Sequence, residues 1–112
     1  MDKRKDLINA YKQRKILGGV FKVTNTVNGR YLLDSAADIH ARQNSFNFSV
    51  STNNPFDYKM RADWQASGAA AFTFEVLDTL EKKETQSQEQ FIEDLKFLEE
   101  NQAEKLDSTL RY

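Results

Sequence analysis

Apolar residues along this chain recur at two different spacings, and the change from one to the other marks the elements. Over residues 2–15, Leu7, Ile8 and Tyr11 fall on one side of a helix. Gly18-Gly19 then predicts its end. Residues 20–24 (VFKVT) are β-branched and aromatic with partial alternation, which predicts a strand. Asn28-Gly29 follows, a strong short hairpin signal because both residue types tolerate positive φ. Residues 30–33 (RYLL) predict the returning strand.

Ser35 and Asp38 read as a variant capping box ahead of a helix carrying Ile39, Arg42, Gln43 and Phe46. Residues 44–54 are polar and turn-rich, and Pro55 closes them. A helix over 56–66 places Met60 and Trp64 on one face and stops at Gly68. Residues 72–77 (FTFEVL) predict a third strand, 81–88 a charged loop, and 90–106 a helix with Phe91, Ile92, Leu95, Leu98 and Leu106 on one stripe. The predicted order is α-β-β-α-α-β-α. It implies an α/β (α+β) domain: a small three-stranded, mostly antiparallel sheet flanked by helices, with an extra N-terminal helix.

Composition narrows what such a domain does. The chain has 112 residues, one domain's worth, with 39% hydrophobic and 29% charged residues. It has no cysteine and a single histidine, His40. That excludes a disulfide scaffold, a thiol nucleophile and a Cys-based zinc site, and fits a reducing cytoplasm. No apolar run is long enough to span a membrane, and no apolar region follows Lys3, Arg4 and Lys5 to make a signal peptide. The formal net charge is -1, but Lys3, Arg4, Lys5, Lys12, Arg14 and Lys15 crowd the N-terminus. That cluster is read equally as a solvated helix end or as a local basic patch for nucleic acid.

Two polar residues share apolar helix faces. Glu99 lies four residues after Leu95 and seven after Ile92; Arg42 lies three after Ile39 and four before Phe46. A carboxylate on such a stripe must be paired, protonated, metal-bound or at the rim of a cleft. Spacing favours a structural Arg42–Glu99 ion pair over a cleft in which Arg42 holds a phosphate and Glu99 a metal.

The order of short motifs resembles the GIY-YIG nuclease family. Gly19-Val20-Phe21 stands where that family has Gly-Ile-Tyr, and Asn25-Thr26-Val27-Asn28-Gly29-Arg30 resembles its hairpin. Tyr31-Leu32-Leu33-Asp34-Ser35 falls in the register of its x-Tyr-Ile-Gly-Ser, and Asp38-Ile39-His40-Ala41-Arg42 resembles its Arg element. The stretches 60–64 (MRADW) and 72–77 are similar to its later segments, and Glu99 falls on the helix where the family carries an acidic metal ligand. The likeness runs over 18–112, leaving 1–17 as a separate basic helix. It implies metal-assisted hydrolysis of DNA or RNA phosphodiesters, with a magnesium or manganese ion.

On that resemblance Arg42 is the phosphate contact, Glu99 the metal ligand, and Arg30, Arg42 and Lys22 line the nucleic-acid surface. The departures fall at the catalytic hydroxyls. Phe21 and Leu32 replace both motif tyrosines, Asp34 replaces the glycine, and Phe46 stands where a histidine often follows the Arg. Tyr31 is the substitute catalytic hydroxyl nearest the second position, but a shift of one residue along a strand turns a side chain to the other face. The implied function is a nuclease-like domain that binds phosphodiesters with an impaired site. The alternatives are an active metal-dependent endonuclease using Tyr31, or a protein-interaction module, such as a homodimer, with no nucleic-acid role.

Overall fold

The structure is a computed structural model and describes residues 16–112. The helix expected over 2–15 lies outside the described residues. Three strands form the sheet: β1 (Leu17–Asn25), β2 (Tyr31–Ala36) and β3 (Phe72–Glu81), in the order β2-β1-β3. Both pairings are antiparallel, so the sheet is fully antiparallel. Gly18 and Gly19, expected to end a helix, lie inside β1 instead.

Val20, Phe21 and Val23 on the central strand are each 0% exposed. Successive strand residues point to opposite faces, so buried neighbours mean that both faces of the sheet are covered. On one face Phe21, Val23 and Leu32 pack with Ile39, Phe46, Met60, Trp64 and Phe72. On the other, Val20, Tyr31 and Leu33 pack with Leu77, Leu98, Leu106 and Leu110. The glycine pair permits this close approach. A Cβ on Gly18 would sit 2.6 Å from the Phe91 ring, and one on Gly19 would sit 2.7 Å from the Asp78 carbonyl oxygen. Opposite Val20 and Phe21 the register of β3 shifts by one residue, a bulge that leaves Leu77 without a partner on β1.

The hairpin between β1 and β2 is longer than a two-residue turn. Gly29 donates to the Asn25 carbonyl at 2.8 Å, and its φ of 79° is the position that requires glycine. The Asn25 side chain accepts from Val27 N–H and the Asn28 side chain from Arg30 N–H, so both asparagines shape the loop through their amides.

Helix α1 (Ile39–Thr52) is capped by Asp38 alone, whose carboxylate accepts from Ala41 N–H at 3.1 Å. Ser35 belongs to β2, so the expected capping box does not form. The helix also runs through 44–52, where turns were expected. The Ser45, Ser51 and Thr52 hydroxyls bond back to helix carbonyls, which keeps these residues compatible with it. Asn53 in the left-handed region ends it.

A short 3-10 turn (Tyr58–Met60) leads into α2 (Arg61–Ser67), and together they bury Met60 and Trp64 as expected. Helix α3 (Gln88–Glu104) opens with a capping box between Ser87 and Gln90. It buries Phe91 and Leu95, while Ile92, placed on the stripe from spacing, is 41% exposed. No helix among the described residues is long and apolar enough to cross a membrane.

Candidate functional site

The sheet puts the motif residues on two different faces. Phe21 and Leu32 sit in the aromatic layer under α1 and α2. Phe21 stacks on Phe74 at 5.0 Å and meets Phe56 edge-on at 6.0 Å. Tyr31 turns to the opposite face, as strand alternation requires, and is 4% exposed. Its hydroxyl donates to the Asp107 carbonyl at 3.0 Å. His40 is exposed on α1.

Arg42 reaches from α1 over the same aromatic layer. Its guanidinium lies 4.3 Å from the centre of the Phe56 ring and 5.5 Å from that of Phe21. Stacking of this kind contributes about 0.5–2 kcal/mol and fixes the plane of the guanidinium. Among the described residues that guanidinium has no carboxylate in ion-pair range and donates no hydrogen bond. The Arg42–Glu99 ion pair expected from spacing does not form. Arg42 shares the face of Phe21, whereas α3 packs against the face of Tyr31, so the sheet separates the two.

Glu99 instead pairs with Arg111, Oε2 to Nη2 at 3.6 Å, and the same Nη2 donates to the Leu33 carbonyl at 3.1 Å. Burial first, and then the adjacent Asp34 carboxylate, push the Glu99 carboxyl above its ordinary range, while Arg111 and Ser35 pull it down. The donors around Glu99 are hard oxygens, the type that magnesium and manganese prefer. They do not fit a divalent cation as arranged. Among the described residues no third carboxylate or histidine joins Glu99 and Asp34, and a guanidinium held on the β2 backbone already pairs with the Glu99 carboxylate.

The other two nucleic-acid candidates are also engaged. Lys22 pairs across the strands with Glu75 at 3.8 Å. Arg30 lies over the Tyr112 ring at 4.5 Å and faces Asp63 at 3.9 Å. Tyr112 donates its hydroxyl to Asp63 at 2.6 Å, Asn28 donates to the same oxygen at 3.0 Å, and Tyr112 N–H bonds to the Tyr31 carbonyl. Burial and the Asp63 contact push the Tyr112 phenol up to about 12.

Residues 107–112 therefore contact Tyr31, Arg30 and Glu99, three of the five candidates, and Tyr31 and Arg111 form a parallel bridge. The sequence reading missed this segment. Six residues with no repeat in their hydropathy carry no periodic signal. Only Asp107, which accepts from Thr109 N–H at a cap, leaves a local trace. Phe56 was placed on a helix and not recognised as the ring under Arg42. A Pro-aromatic step before a turn does not reveal which side chain from elsewhere lies over it.

No protein-family model and no curated protein sequence matches this chain. Among solved structures, the catalytic domain of the homing endonuclease I-TevI is similar to it, with 17% identity and a TM-score of 0.49, covering 75% of this chain and 86% of that one.

Proposed function

We propose that this chain is a GIY-YIG-type domain that binds nucleic-acid phosphodiesters through Arg42 and cleaves them poorly or not at all. The reading is supported by the order of the motifs along an antiparallel hairpin and a third strand. It is carried by one observation: Arg42 lies over Phe56 and Phe21 with its N–H donors unspent on any described residue. A guanidinium held flat presents its donors in a fixed fork, the geometry that suits a phosphate.

The loss of cleavage follows from the groups around it. Phe21 and Leu32 are buried and lack hydroxyls, so neither accepts a proton from an attacking water. Tyr31 has its hydroxyl committed to the Asp107 carbonyl on the other face. Phosphate binding is then left without a positioned base.

The test is anisotropy of fluorescent DNA and RNA at low salt, with cleavage followed in magnesium and manganese. The wild-type chain is expected to bind with an affinity that falls as salt rises, and to leave the strands intact. Arg42→Ala removes a charged hydrogen-bond donor set, so it is expected to weaken binding about tenfold or more. Robust cleavage abolished by Glu99→Gln overturns the inactive reading. Binding unchanged in Arg42→Ala overturns the phosphate site.

A further inference from the structure

Beyond Arg42, the turn that supplies its aromatic floor carries a second feature. Phe56 points inward against Phe46 and Phe21. Tyr58, two residues later, points out and is 80% exposed, the most exposed large hydrophobic residue among those described. The turn that carries it is hydrogen-bonded and anchored. Asp57 caps it by accepting Lys59 N–H at 2.9 Å, Met60 N–H bonds to the Asp57 carbonyl, and the Met60 side chain is 0% exposed. Tyr58 is thus an exposed ring on a hydrogen-bonded turn that Met60 anchors in the core.

Two cations lie beside it in the chain. Lys59 and Arg61 flank the turn, both exposed, and neither has an ion-pair partner among the described residues. The acids close in sequence are engaged elsewhere: Asp57 accepts from the backbone of the turn, and Asp63 takes the Tyr112 hydroxyl and the Asn28 amide. Tyr58 lies at most about 7.6 Å along the chain, Cα to Cα, from the residue under Arg42. An exposed aromatic beside two cations with no ion-pair partner among the described residues, two positions along the chain from the ring under Arg42, suits a strand held by its phosphates with its bases stacked.

We infer that Tyr58, with Lys59 and Arg61, forms a stacking platform for an unpaired base of a nucleic-acid strand whose phosphate is held by Arg42. This deepens the phosphate-binding reading and rests on it. An unpaired base is required because the faces of bases inside a duplex are already stacked on their neighbours. Stacking of a base on an aromatic ring is tolerant of sequence because every base has a π-face. The site therefore favours single strands, loops or frayed ends over intact duplex, without a base preference. Lys59 and Arg61 supply the salt-dependent part of the affinity, and Tyr58 the part that survives added salt.

The experiment compares a labelled deoxythymidine oligomer with a blunt duplex of equal length, using the full chain and the variants Tyr58→Ala, Tyr58→Phe and Arg42→Ala. Tyr58 is exposed, so its substitution leaves the core untouched. The expected result is single-strand affinity above duplex affinity, a loss of about tenfold in Tyr58→Ala for the single strand only, and retention in Tyr58→Phe. Unchanged single-strand binding in Tyr58→Ala, alongside a loss in Arg42→Ala, overturns the platform and leaves the phosphate site standing. An equal loss on both substrates in Tyr58→Ala also overturns it. Failure of the wild-type chain to bind either substrate overturns both.

Discussion

Arg42 and Glu99 are both charged residues on apolar helix faces, and each solves the burial problem differently. Arg42 places its cation over two phenyl rings, with its donors unspent on any described residue. Glu99 takes a guanidinium from Arg111, yet burial and Asp34 still work against its charge. A folded-state value raised above the unfolded one means that the protonated form is favoured by folding. That contribution is complete below about pH 4.5, the ordinary value, and is lost as pH rises through the folded value. At neutral pH the ionised Glu99 is therefore a net burden. Glu99→Gln is expected to raise the urea midpoint at pH 7 by a small amount, with the gain shrinking toward pH 4. A lower midpoint at pH 7 would show that the Arg111 pair outweighs burial and Asp34. Spacing alone located both residues on their apolar sides, because a helical wheel needs only local geometry. It could not assign their partners, which lie across the fold.

The elements differ in how much of their definition is local. Helix α3 carries its own start signal: Ser87 accepts from Gln90 N–H at 3.2 Å and the Gln90 side chain accepts from Ser87 N–H at 3.0 Å. Ser87→Ala is expected to cost about 1 kcal/mol, read as a lower urea midpoint with an unchanged slope. Because α3 buries Phe91 and Leu95 against β1 at Gly18, the cost is felt by the whole domain. Helix α1 shows the reverse case. Its second half is rich in Asn, Ser and Thr, residues that favour turns, and the polar pattern there predicts a loop. Burial of Phe46 in the aromatic layer holds that half helical, and bonds from the hydroxyls to helix carbonyls satisfy the polar side chains there. The hairpin is intermediate. Asn25, Asn28 and Gly29 announce a turn, but the loop length is set by how Val23 and Leu32 must face each other on the buried side of the sheet.

Across the whole molecule, residues 107–112 tie together the hairpin, α2 and β2. Their centre is Asp63, whose carboxyl is held below its ordinary range by the Tyr112 hydroxyl first and the Asn28 amide second. A depressed folded-state value gives stability that is complete above about 3.8 and is lost as pH falls through the folded value. Asp63→Asn is expected to lower stability near neutral pH, with the gap to the wild type narrowing below about pH 4. Parallel pH curves would show that Asp63 contributes through shape and not through its charge. The three strands, the first half of α1, the last helix, the burial of Met60 and Trp64, and the placing of Tyr31 on the face opposite Leu32 were legible in the amino-acid pattern. Periodicity and alternation are properties of neighbours in the chain, and burial of one face enforces them. The pairings that define the site were not legible. Arg42 on Phe56, Arg111 on Glu99 and Tyr112 on Asp63 join residues 14, 12 and 49 positions apart. Such contacts follow from how the sheet separates its two faces and where the last six residues return, and no local pattern encodes either.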